Sequence, residues 1–192
     1  MTTFSSPNRI VWEYFNSLKN LVQTARYASN SDFARQTSAL AIVTAVTVAE
    51  VFLNLWFRIR VEERGNTESR ESLLKDLKNR VSFQRKLEQW PLRYLAEPLD
   101  LKAGPGGDFM KLKSLRNSIV HFTSSNSSLN VDDVILHGLA DTSDYDSLTA
   151  ENGIWALETT EAMIVEIFRL GGISEKEIPH ALHMWTGRPP NA

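Results

Sequence analysis

The chain has 192 residues, enough to bury a sizeable core without disulfides or structural metals. Its 21 Lys and Arg against 23 Asp and Glu exclude nucleic-acid binding through bulk charge, so any such contact needs a local patch. The absence of cysteine excludes disulfide frameworks, thiolate zinc sites and thiol nucleophiles, and fits a reducing compartment.

The opening MTTFSSPNRIVWEYF lacks a basic segment followed by an apolar one, so no secretory signal is read and the cytoplasm is the expected location. Pro7 can start a helix that carries Ile10, Val11, Phe15, Leu18, Leu21 and Val22 at helical spacing to about Tyr27. Ser29 to Asp32 reads as a stop and a new N-cap. From Phe33 to Glu63 there is neither Gly nor Pro, and Gly65 follows as a C-terminal stop, which predicts one long helix.

The middle of that helix, ALAIVTAVTVAEVFLNLWF, approaches the roughly 20 apolar residues of a membrane span. Glu50 and Asn54 interrupt it on one face, however, and no second span is present, so a buried bundle helix is the better expectation. Glu50 reads either as a surface carboxylate or as an inward acid that orients a catalytic partner.

Thr67 to Arg93 reads as a second long helix, with Leu73, Leu74, Leu77, Val81, Phe83 and Leu87 at three- and four-residue steps and Pro91 kinking or stopping it. Leu95 to Asp108, punctuated by Pro and Gly, reads as a linker; its glycines lack the Lys-Ser/Thr of a phosphate loop. Asp108 is the expected cap of a helix to about Phe122. Val131 to Leu139 suggests a short strand or half-buried turn, and Asp141, Asp144 and Asp146 match no calcium-loop spacing. Leu148 to Leu170 forms another helix, ended by Gly171 and Gly172, and a short one follows over Ser174 to Trp185. That last helix holds His180 and His183 on one face, without a third ligand for a metal.

The stretch that suggests chemistry is Lys111 to Phe122, KLKSLRNSIVHF. At roughly 100° per residue, Leu112, Leu115, Ile119 and Phe122 share a core stripe, while Asn117 and His121 share another face. His can serve as base or acid near neutral pH, and Arg offers phosphate a fixed fork of donors that cannot lose its proton. Metal-free RNA cleavage needs both. Arg116 and His121 stand roughly 140° apart on the helix, so a second copy facing the first through an isologous interface would complete a site better than one chain does.

LRNSIVH, Leu115 to His121, resembles the signature of the HEPN superfamily: an Arg, a polar residue, and a His four to six residues after the Arg. The resemblance implies an all-α, up-and-down bundle of four core helices, here about residues 33–172. An extra N-terminal helix and a short C-terminal helix complete a single domain over 1–192, with flexible tails at 1–7 and 187–192. It further implies a metal-independent endoribonuclease without cofactor, often a toxin with an antitoxin partner, acting as a homodimer through the motif helix. Arg116, Asn117 and His121 would then be catalytic, and Glu50, Lys113 and Ser114 are candidate supporting residues. Some HEPN domains serve only as binding modules, so a non-catalytic adaptor for RNA, a nucleotide or a partner protein is the competing expectation. Neither GxSxG nor HExxH occurs.

Overall fold

The apolar run becomes α2, Ser31–Glu63, whose first turn is capped by the Asn30 side chain accepting from the Phe33 N–H at 2.8 Å. In the computed structural model, which describes residues 6–95, 97–121, 129–131, 134–136 and 140–188, this helix is the axis of an all-α bundle. The other elements are α1 (Pro7–Arg26), α3 (Thr67–Lys78), α4 (Phe83–Leu95), α5 (Gly104–His121), α6 (Ser143–Asp146), α7 (Ala150–Leu170) and α8 (Ile178–Thr186). Two short antiparallel strands, β1 (Leu129–Val131) and β2 (Val134–Leu136), pair Asn130 with Ile135; β2 falls within the stretch where a strand or turn was expected, and β1 largely precedes it.

The four long helices of the bundle are α1, α2, α5 and α7, with α2 and α7 packed together between α1 and α5. The expected membership therefore changes. The N-terminal helix is no appendage, because Val11, Phe15 and Leu18 are fully buried in the shared core. The region from Thr67 to Leu95 instead packs beside α2 as two short helices.

Helix directions follow from close contacts. Gly153 of α7 lies against Ser38 and Ala41, and Gly171 lies against Trp56, so α7 runs parallel to α2. A Cβ at Gly171 would stand 2.5 Å from the Trp56 ring, which leaves glycine as the residue that allows this approach. The start of α1 flanks Leu55 and Ile59 near the end of α2, making those two antiparallel. Gly104, Pro105 and Asp108 at the start of α5 line a cleft with Trp155, Thr159 and Ala162, and α5 also packs against α6, which immediately precedes α7, so α5 descends toward the first turns of α2 and α7. The long helices thus alternate down, up, down, up in chain order.

Two predicted elements differ. The helix expected over Thr67 to Arg93 breaks at Asn79 to Ser82, where Arg80 adopts φ 50° and the Val81 N–H donates to the Asp76 carbonyl at 3.1 Å. This is the closure of a left-handed helix end, made with arginine where glycine is usual. Ser82 Oγ then accepts the Arg85 N–H at 3.3 Å and opens α4, which continues through Pro91 to Leu95. The expected linker is the second difference, since α5 begins at Gly104. A Cβ at Gly106 would run into the Asp100 carbonyl, so this glycine permits a tight approach. Asp108 consequently lies inside α5 and pairs with Lys111 at 2.7 Å instead of capping it.

By length and composition α2 could cross a membrane, the one such helix among the described residues. Here it is packed by α1, α5 and α7, and its Ala41, Ile42, Ala45, Phe52, Leu53 and Phe57 have no exposed surface.

Candidate functional site

The core stripe of α5 comprises Phe109, Leu112 and Ile119, all buried, and Arg116 falls on the same stripe between the last two. Its stem therefore runs against the core. Arg116 is half-buried, its Nε is enclosed with no hydrogen-bond partner, and its Nη1 donates to Asn117 Oδ1 at 3.0 Å. Among the described residues no carboxylate forms an ion pair with it. Leaving a half-buried guanidinium without a counter-charge is costly, and the cost falls when an anion arrives.

His121 ends α5 and is exposed. The expectation that it points away from the core stripe is met in that sense, while Phe122, expected on the stripe, lies outside the described residues. Among the described residues, neither Arg116 nor Asn117 is hydrogen-bonded to His121. Lys113 is half-buried and Ser114 exposed on the preceding turn. The structure thus brings Arg116 and Asn117 together and sets His121 one turn on along the Asn117 face, away from the Arg116 stripe.

Glu50 is not part of this group. Its Oε1 accepts from Lys86 Nζ at 2.6 Å, and the Lys86 ammonium also lies 5.6 Å from the Trp90 ring centre. Glu50 is a partly exposed carboxylate, close to the first of its two sequence readings, and it ties α2 to α4. The helix register separates it from the motif as well. Arg116 lies two turns beyond Asp108, toward the first turns of α2, so Glu50 stands roughly 20 Å away along the bundle axis.

Arg35, which no sequence signal singled out, occupies the same end of the bundle as Arg116. Its guanidinium carbon lies 5.7 Å from the Tyr145 ring centre on α6, and α6 touches both α2 and α5. Its Nε is likewise enclosed without a partner, and Nη2 donates to the exposed Asp32 at 2.8 Å.

Other candidate groups have structural explanations. Asp146 accepts from Thr142 Oγ1 at 2.6 Å, and hydrogen bonds from Ser143 hold the Asp141 carboxyl below its ordinary range, so these acids organise the ends of α6. His183 Nδ1 lies 2.9 Å from the Arg188 carbonyl, and His180 is exposed. A cavity of about 620 Å³ opens between the start of α1 and the end of α2, lined by Pro7, Ile10, Leu55, Arg58 and Ile59, but it is remote from the motif. Opposite it, Glu161 of α7 meets Arg188 at 3.1 Å, and Lys19 of α1 donates to the Thr186 carbonyl at 2.6 Å. Burial raises the Glu161 carboxyl above its usual range, partly offset by the Arg188 and Lys19 charges; burial also lowers the Lys19 ammonium.

In comparisons with known proteins, no family model, no curated protein and no solved structure matches this chain.

Proposed function

We propose that this chain is a metal-independent endoribonuclease of the cytoplasm, working as a homodimer whose two motif helices share one cleft. The observation that carries the reading is the half-buried Arg116 guanidinium, which has a side-chain amide for a neighbour and no carboxylate among the described residues, on the turn before an exposed imidazole. A structural arginine in such a place is normally neutralised, as Arg93 is by Asp76 at 2.8 Å. An uncompensated fork suits a phosphate.

In the proposed reaction His121 takes the proton of a ribose 2′-hydroxyl, and the 2′-oxygen bonds to the adjacent phosphorus. The bond to the 5′-oxygen breaks, and that oxygen leaves with a proton supplied by the second copy's protonated imidazole. Arg116 stabilises charge on the non-bridging oxygens, and Asn117 orients the guanidinium. The products are a 2′,3′-cyclic phosphate and a 5′-hydroxyl. A toxin role, with an antitoxin protein covering the cleft, is the biological setting that the motif suggests.

The second reading is a binding-only module. It is favoured by the finding that, among the described residues, Arg116 makes no hydrogen bond to His121 within one chain. The deciding experiment is incubation of pure protein with end-labelled RNA in excess EDTA, parent against His121→Ala and Arg116→Ala. Cleavage by the parent to cyclic-phosphate ends, lost in both variants, supports the nuclease. RNA binding without cleavage by a folded, dimeric parent replaces it with the binding module.

A further inference from the structure

We propose that Arg35, at the start of α2, is a second phosphate-holding residue, and that the RNA it holds is single-stranded; this rests on the RNA-directed reading of Arg116. Arg35, Arg116 and Arg60 each bury their Nε without a hydrogen-bond partner; Arg60, at the far end of α2, is held by Glu63 and the Gly171 carbonyl. Buried polar groups in folded proteins are nearly always satisfied, so the two orphaned guanidinium nitrogens that share the other end of the bundle call for an explanation.

The fold brings the two residues close in level. Gly153 of α7 lies against Ser38 and Ala41, and the start of α5 lies beside Trp155 and Thr159. Eight residues from Asp108 to Arg116 descend roughly 12 Å, and six residues from Ala41 to Arg35 descend roughly 9 Å, so both arginines arrive within about one helical turn of each other along the axis. α6 contacts both helices there, with Tyr145 beneath the Arg35 guanidinium.

The contacts of Arg35 leave it available. Its acidic partner is Asp32, whose side chain is 71% exposed, so the pair sits in water and is weak enough for a phosphate to displace. A guanidinium 5.7 Å from a tyrosine ring centre presents a fork for phosphate beside an aromatic face on which an unstacked base can lie. Paired A-form RNA keeps its bases stacked inside, which is why the substrate class is unpaired RNA.

The test is fluorescence anisotropy with a labelled 12-nucleotide single-stranded RNA of mixed sequence, titrated from 50 to 200 mM NaCl. Full-length protein carrying His121→Ala keeps the RNA intact. Adding Arg35→Gln should weaken binding about tenfold and lower the salt slope by roughly 0.7, the loss of one phosphate contact. Asp32→Asn, a surface change that removes the competing acid, should tighten binding about threefold when Arg35 is present and not when it is Gln. Arg85→Ala, at an exposed position of α4, is the control for lost positive charge alone. Equal affinity and slope with and without Arg35→Gln, or Asp32→Asn acting equally in both backgrounds, overturns the role of Arg35 and leaves the nuclease reading standing. Equal binding of a duplex overturns the single-strand assignment. A parent that binds no RNA sinks both proposals together. If Arg35→Gln fails to fold, Asp32→Asn alone decides: unchanged affinity overturns the proposal.

Discussion

Lys86 Nζ stands 2.6 Å from Glu50 Oε1, with the lysine side chain only 6% exposed and the glutamate at 35%. The acid that interrupts the apolar face of α2 is thus the counter-charge of a buried cation on α4. Glu50→Gln should destabilise the fold by about 1–3 kcal/mol, a figure below that for a fully buried pair because water reaches the carboxylate. Urea denaturation measures it. Lys86→Met added to Glu50→Gln should recover most of the loss, because the unpaired cation is then gone; failure to recover would mean that the pair is not the source.

Arg116 invites a separation of stability from function. Its stem already lies on the core stripe between Leu112 and Ile119, so Arg116→Met keeps the apolar contact and removes a half-buried charge. Melting temperature should hold or rise, while RNA cleavage should fall by at least about 100-fold. His121→Ala, at an exposed helix end, should change stability by no more than about 0.5 kcal/mol and still abolish cleavage. A large stability loss in either variant would return these residues to a structural role.

How far the sequence could be read depended on whether a residue's local chemistry matched its tertiary task. The bounds of α1, α2 and α7 were legible because Pro7, Asn30 and the Gly171–Gly172 pair act locally, and Thr149 adds a capping box with Asn152. Gly106 misled because its lack of a side chain serves packing against Asp100, which spacing alone does not reveal. The motif was legible as Arg116, Asn117 and His121, but the surroundings of Arg35 were not, because Tyr145 of α6, which touches both α2 and α5, reaches it across more than a hundred residues. The partner of Glu50 was equally hidden, since nothing in the spacing ties it to Lys86, 36 residues further on.

The break between α3 and α4 went unread for a related reason: the left-handed position is held by Arg80 at φ 50° and not by glycine. A non-glycine residue there bears a penalty of roughly 1 kcal/mol. Arg80→Gly removes that strain but frees the unfolded chain, so a net stabilisation of about 0.5 kcal/mol is expected. Arg80→Val, β-branched, should instead destabilise by about 1 kcal/mol or more. Chemical denaturation of the pair checks the sign, and a stabilising valine would contradict the conformation.

Glu161 sets a dependence on pH. Burial raises its carboxyl in the folded chain, against the opposing pull of Arg188 and Lys19, with nearby Glu158 adding to the rise. Between its ordinary value and that raised value the folded state binds more protons than the unfolded one. The contribution of Glu161 to stability therefore declines as pH rises through this window and is most favourable below it. Glu161→Gln should remove that decline. At neutral pH it should leave stability unchanged or raise it by up to about 1 kcal/mol, since an amide can still accept from Arg188 without a buried charge. Denaturation of parent and variant at pH 4.5, 5.5, 6.5 and 7.5 separates this term from the other carboxylates. A variant that loses more stability at pH 7.5 than at pH 4.5 would show that the attraction to Arg188 and Lys19, and not desolvation, governs the group.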